Sequence, residues 1–196
     1  MKDLQKSKVY RWEEKLFLKY GLTKSMPLEK SMSYSDCEKF ATKVWNKYKN
    51  KFFKVLPHNI KCSQVKIFPR QGRKATFHHG LFFNGVKAKK RGYRTYYKKI
   101  VLPDWARSKH IVIHEVCHAL TERLDGGHGK YYVGTYMLLL NKYLGFEISK
   151  MCDLAYKMKI DWTFDGSRTM QKAKEKAIKP EIEKERKKLT GGKINE

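Results

Sequence analysis

The sequence predicts an α+β fold in which a small mixed β-sheet packs on helices, one of them carrying His114-Glu115-Val116-Cys117-His118. Three observations predict it. Apolar residues recur at helical spacing before residue 50 and again from 108 to 159, which marks amphipathic helices. Between them, residues 65 to 102 turn to β-branched and aromatic runs broken by turn residues, the signature of a short sheet. The length, 196 residues with 41% hydrophobic and 13% aromatic side chains, suits one domain with appendages. The boundaries expected are an N-terminal helix and linker over 1–33, the domain over 34–164 and a charged tail over 165–196.

Taken in order, Val9, Trp12, Leu16 and Tyr20 share one face of a first helix that Gly21 closes. Ser35 with Glu38 reads as a capping box for a second helix, which buries Cys37, Phe40, Ala41, Val44, Trp45 and Tyr48. Val65 to Phe68, Leu81 to Phe83 before the Asn84-Gly85 turn signal, and Thr95 to Leu102 are the expected strands. His78 and His79 are neighbours, so on a strand they would face opposite ways; they read as loop or surface residues. Ser108 is a suitable N-cap for the motif helix. Stepping about 100° per residue places Ile113, Val116, Cys117, Leu120 and Leu124 in one buried stripe beside the histidines. Gly126-Gly127 then reverses the chain, and further helices follow over about 131–144, stopped by Gly145, and about 149–159. Beyond Asp165 Lys and Arg alternate with Glu, as in a solvated helix or tail.

The chemistry gathers at residues 114–128. Residues four apart on a helix share a face, so His114 and His118 can present imidazole nitrogens to one cation with Glu115 at its edge. Catalytic zinc takes three protein ligands and leaves a fourth position open, and the HExxH spacing supplies two ligands and a general base. The third ligand is His128, brought back by the glycine reversal, or Glu122, four residues beyond His118. A mechanism then needs Glu115 as base, a strand to pair with an extended substrate, and donors to a carbonyl oxygen. Tyr96 to Val101 is the expected exposed strand, and Tyr131, Tyr96 and His110 are the expected donors.

The charge is far from neutral, at +25 with a sequence pI near 9.9. Such a field favours nucleic acid or other anionic partners. The tail holds ten basic residues against six acidic ones, a net +4, so +21 belongs to the first 164 residues. Lys89, Lys90, Arg91 and Arg94 surround Tyr93 in a basic loop that suits phosphate contact. No signal-peptide core opens the chain and its apolar runs are too short for a bilayer, so an intracellular, cytoplasmic protein without membrane contact is expected. Four cysteines without a CxxC spacing fit reduced thiols. Oligomeric state is not legible.

His114-Glu115-Val116-Cys117-His118 with Gly127-His128-Gly129-Lys130-Tyr131-Tyr132 resembles the SprT-like zinc metalloproteases, including Spartan. The resemblance spans roughly residues 36 to 145. It implies a zincin-like minimal peptidase fold, one zinc on His114, His118 and His128, Glu115 as base, Tyr132 as a packed aromatic, and protein substrates near DNA. Two differences stand out: the gap between His118 and His128 is shorter than in Spartan, and no zinc ribbon follows within these residues. Two other readings stand beside this one: a nucleic-acid-binding protein with a structural or vestigial zinc site, and a general peptidase whose charge is incidental.

Overall fold

The computed structural model describes residues 3, 5–21, 31–52, 60–71, 74–87, 94–122, 124 and 127–164. The element order is α1 (Lys6–Lys19), α2 (Tyr34–Phe52), β1 (Ile60–Pro69), β2 (Thr76–Lys87), β3 (Arg94–Leu102), α3 (Lys109–Thr121), α4 (Lys130–Leu144) and α5 (Ile148–Lys157), with a 3-10 turn at Asp104–Ala106. The α+β class with a mixed sheet is what the sequence predicts. Helix α3 is the centre: α2 and α4 pack on it, β2 lies beside it, and α2 also covers β1.

The three strands run in the order β1-β3-β2, with β1 parallel and β2 antiparallel to β3. Helix α2 closes the outer edge of β1, because Thr42 Oγ1 and Val65 bond reciprocally at 3.1 Å and Ile67 N–H donates to Glu38 at 3.0 Å. Glu38 is therefore a strand partner rather than half of a capping box. The cap lies two residues earlier, where Ser33 Oγ accepts from Asp36 N–H at 3.1 Å and donates to its carboxylate at 2.7 Å. Two further expectations are corrected. Asn84-Gly85 lies inside β2, in a stretch where the register with β3 shifts, so the pair marks a bulge and not a turn. His78 and His79 also belong to β2, and His78 pairs with Lys99.

Ser108 takes the N-cap position of α3 with extended backbone, although its hydroxyl turns to His110, 3.5 Å away, instead of a helix amide. Helix α3 ends at Thr121, so Leu124 falls past the helix and is 39% exposed, outside the stripe expected for it. The chain then reverses through Gly127, in the left-handed region at φ +72°. Gly145 stops α4 with the same φ.

Helix α1 packs into the core of the domain. Val9, Trp12, Leu16 and Phe17 of α1 are buried in the same core as α3, α4 and α5, and Trp12 Nε1 donates to the Met151 carbonyl at 3.2 Å. A final strap, Ile160, Trp162 and Phe164, is buried too. Gly134 of α4 lets it approach, since a Cβ there would stand 1.8 Å from the Thr163 carbonyl oxygen. The tail beyond 164 and the basic loop at 88–93 lie outside the described residues. Among the described residues no helix is long and apolar enough to cross a membrane.

Candidate metal centre

One turn of α3 separates His114 from His118, and the Gly127 reversal seats His128 at the start of α4. The consequence is a cluster of three imidazoles. His114 Nε2 lies 3.3 Å from His118 Nε2 and 3.4 Å from His128 Nε2, and ligand atoms of all three fall within 4.8 Å of one another. Three lone-pair donors this close, on histidines that are buried or half-buried, are a set able to hold a metal ion. Glu122 is not part of it. Its carboxylate pairs with the buried Lys98 ammonium, which also lies against the Trp45 and Phe77 rings, so the alternative third ligand is spent on the sheet.

Carboxylates set the outer side of the histidines. Glu13 accepts a 2.7 Å hydrogen bond from His114 Nδ1, and Asp3 accepts one of 2.8 Å from His128 Nδ1. With Nδ1 bearing the proton, Nε2 keeps its lone pair for the cluster. Burial opposes charging His114, yet the charge and hydrogen bond of Glu13, with Glu115 behind, carry its pKa above the ordinary histidine value. For His128 burial prevails, reinforced by His114, and its pKa falls despite Asp3.

Glu115 is 4% exposed and lines the same pocket as the histidines. Burial raises its pKa, offset in part by the charge of His114 and a hydrogen bond from the Phe77 backbone N–H. That bond ties the carboxylate to β2. The pocket is about 640 Å³, with Lys74, Ala75, Thr76 and Phe77 forming one part of its wall and Asp3, Lys6, Tyr10, Glu13 and Phe17 a second.

This second wall is what reasoning from the sequence misses. Those five residues follow one another at spacings of three and four, a single stripe along α1 and the residues before it. The spacing is legible in the sequence, but the apolar stripe Val9, Trp12, Leu16 dominates the helix and leaves Glu13 as a neighbour of no stated use. Tyr10 stacks near-parallel to the His114 ring at 5.8 Å and meets His128 edge-on at 4.8 Å. Burial first, then Glu13, Glu115 and Asp3, pushes its pKa up to about 12. Tyr132, expected as a packed aromatic, is fully buried and stacks on His118 with centroids 4.4 Å apart.

Other expected site residues are not brought here. Tyr96 and Val101 belong to β3, which bonds to a strand on both sides and has no edge to offer a substrate. The edge at the pocket belongs to β2. Tyr131 lies outside the pocket lining, with Lys130 Nζ 5.4 Å from its ring centre. His110 does line the pocket, packed on Phe17 at 4.6 Å, and burial lowers its pKa to about 4. Arg94 opens β3, whereas Lys89, Lys90 and Arg91 lie outside the described residues.

Comparison with protein-family models, curated proteins and solved structures finds no match.

Proposed function

We propose that this chain is a zinc-dependent metalloendopeptidase of SprT-like type, acting on proteins associated with nucleic acid. The observation that carries the proposal is the spacing of the Nε2 atoms. Zinc bound at about 2.0–2.1 Å in a tetrahedron sets its ligand nitrogens about 3.3–3.4 Å apart. The two separations from His114, 3.3 and 3.4 Å, match that spacing, and the ligand atoms of all three histidines lie within 4.8 Å of one another, which supports this ion.

His114, His118 and His128 would hold the zinc, which would supply Lewis acidity towards a bound water and a substrate carbonyl. The protein's own groups do the rest. Glu115, buried at the pocket wall and held by the Phe77 backbone, accepts the proton of the attacking water and returns it to the departing amide nitrogen. An extended peptide laid along Lys74–Phe77 meets the outer edge of β2, which no strand among the described residues covers. Tyr10 and His110 line the pocket and are its candidate donors to a developing oxyanion.

A structural zinc site is closed by four ligands and needs no base. Here three histidines face an open pocket with a buried carboxylate beside them, which favours catalysis over a structural or vestigial site. The net charge of +25 favours substrates held near nucleic acid over a peptidase whose charge is incidental. The test is metal analysis of the purified chain followed by cleavage of unstructured protein substrates with and without DNA. One zinc per chain and hydrolysis that phenanthroline stops and added zinc restores are expected. A zinc-loaded chain that cleaves nothing under either condition refutes the proposal.

A further inference from the structure

We infer that Asp3 and Glu13 are positioning residues of the metal centre, so that the N-terminal segment, outside the motif altogether, sets how tightly the histidines hold a metal. The inference rests on reading the three histidines as a metal site, but not on peptide hydrolysis.

Three independent observations converge. First, each carboxylate meets the nitrogen opposite the cluster: Glu13 at 2.7 Å from His114 Nδ1 and Asp3 at 2.8 Å from His128 Nδ1. An imidazole has one proton to place when neutral, and an acceptor at Nδ1 draws it there and leaves Nε2 free. Second, the burial is costly unless used. The Glu13 side chain is only 8% exposed, and it lies in a helix otherwise packed by apolar residues. A buried carboxylate is retained only where partners satisfy it, and its partner is His114 at 2.7 Å.

Third, the backbone around His128 is built to receive the N-terminal segment. Asp3 Oδ2 accepts the His128 backbone N–H at 3.1 Å as well as its ring N–H, and Gln5 Nε2 donates to the His128 carbonyl at 2.8 Å. Gln5 also clasps the Asp161 backbone through both its amide atoms, at 3.0 and 3.1 Å. A Cβ at residue 127 would stand 2.2 Å from Asp3 Oδ2, so glycine there makes room for the carboxylate besides allowing the left-handed turn. The segment thus fixes the ring, the peptide unit and the tautomer of one ligand, and α1 fixes the ring and tautomer of another.

Partners of this kind commonly change metal affinity about 10–100-fold when removed. In the full-length chain, Asp3→Ala and Glu13→Ala should each weaken zinc binding by about that factor, measured by competition against a chromophoric chelator. Asp3→Asn and Glu13→Gln keep an acceptor oxygen without its charge and should fall between wild type and the alanine variants. A second readout separates positioning from a general loss of stability. In the zinc-loaded protein, long-range proton–nitrogen NMR should show slowly exchanging Nδ1 protons on His114 and His128. Glu13→Ala should lose that of His114 alone, and Asp3→Ala that of His128 alone. Should Glu13→Ala fail to fold, Asp3→Ala decides, because Asp3 precedes α1 and its side chain is 22% exposed. Wild-type zinc affinity in folded Asp3→Ala, or Nδ1 atoms of His114 and His128 that carry no proton in zinc-loaded wild type, overturns the inference. If affinity falls as expected but wild type hydrolyses no peptide, the positioning role stands and the peptidase proposal fails. If wild type hydrolyses peptide but affinity does not fall, the peptidase proposal stands and the positioning role fails.

Discussion

Replacing Glu115 by Gln is the sharpest test of the proposed chemistry, because the structure allows the base to be removed with little else disturbed. Glutamine matches glutamate in shape, and its carbonyl oxygen can still accept the Phe77 backbone N–H that holds the carboxylate now. The Nε2 separations of 3.3 and 3.4 Å depend on α3 and the Gly127 reversal, neither of which the change touches. Zinc affinity should therefore stay within about twofold of wild type, since Glu115 is not one of the three ligands. Hydrolysis should not survive. General-base assistance is worth about 10²–10⁴-fold, or roughly 3–5 kcal/mol of barrier. Glutamine in its place could neither accept nor return a proton, so the loss should fall within that range. The assay is the initial rate of cleavage of a quenched fluorescent peptide by zinc-loaded protein, with metal content measured on the same sample. A variant that keeps its zinc and cleaves within tenfold of wild type refutes Glu115 as the base.

His128→Ala should weaken zinc binding more than loss of an outer carboxylate does, hence by more than about 100-fold; full occupancy would remove His128 from the ligand set. Acid should weaken the metal-free fold through His110, whose folded pKa is held at about 4 against an ordinary 6.5. The sign follows from proton counting: between those values the unfolded chain binds the extra proton, so stability is fully present above about 6.5 and falls as pH drops towards 4. The shift amounts to about 3 kcal/mol, and His110→Gln should flatten that part of a denaturant-midpoint profile; an unchanged profile counts against it. For nucleic acid, changing Lys89, Lys90, Arg91 and Arg94 together to Ala should flatten the log–log salt dependence by up to about 3–4 units, at about 0.9 per phosphate contact. Removing residues 166 to 196 should alter it less, and the reverse ranking would move the interface to the tail.

Where sequence and structure part company, the division is physical. Short-range rules read α3 and its neighbours well because their information is local: i, i+4 spacing sets His114 and His118 on one face, and glycine takes the φ of +72° at both Gly127 and Gly145. Strand boundaries and roles are harder. The β-branched run at 95–102 marks a strand but not its place in the sheet, and an edge strand and a central strand share one composition when one face is buried. Only pairing on both sides excludes Tyr96 and Val101 from a substrate edge. Capping moves by two residues for a similar reason, since Glu38 has a long-range partner in Ile67 that no local pattern reveals.

His114, His118 and the Glu115 carboxylate were thus determined by the sequence alone, because the three sit on one helical turn, whereas the choice between His128 and Glu122 fell to the fold, which pairs Glu122 with Lys98 and brings His128 to the cluster. What surrounds them was decided by tertiary structure. Glu13 and His114 are 101 residues apart and Asp3 and His128 are 125 apart, distances over which periodicity holds no information. The burial of Val9, Trp12 and Leu16 against the core of α3–α5 docks α1, and the docking turns an ordinary acidic residue beside an apolar stripe into the hydrogen-bond partner of His114.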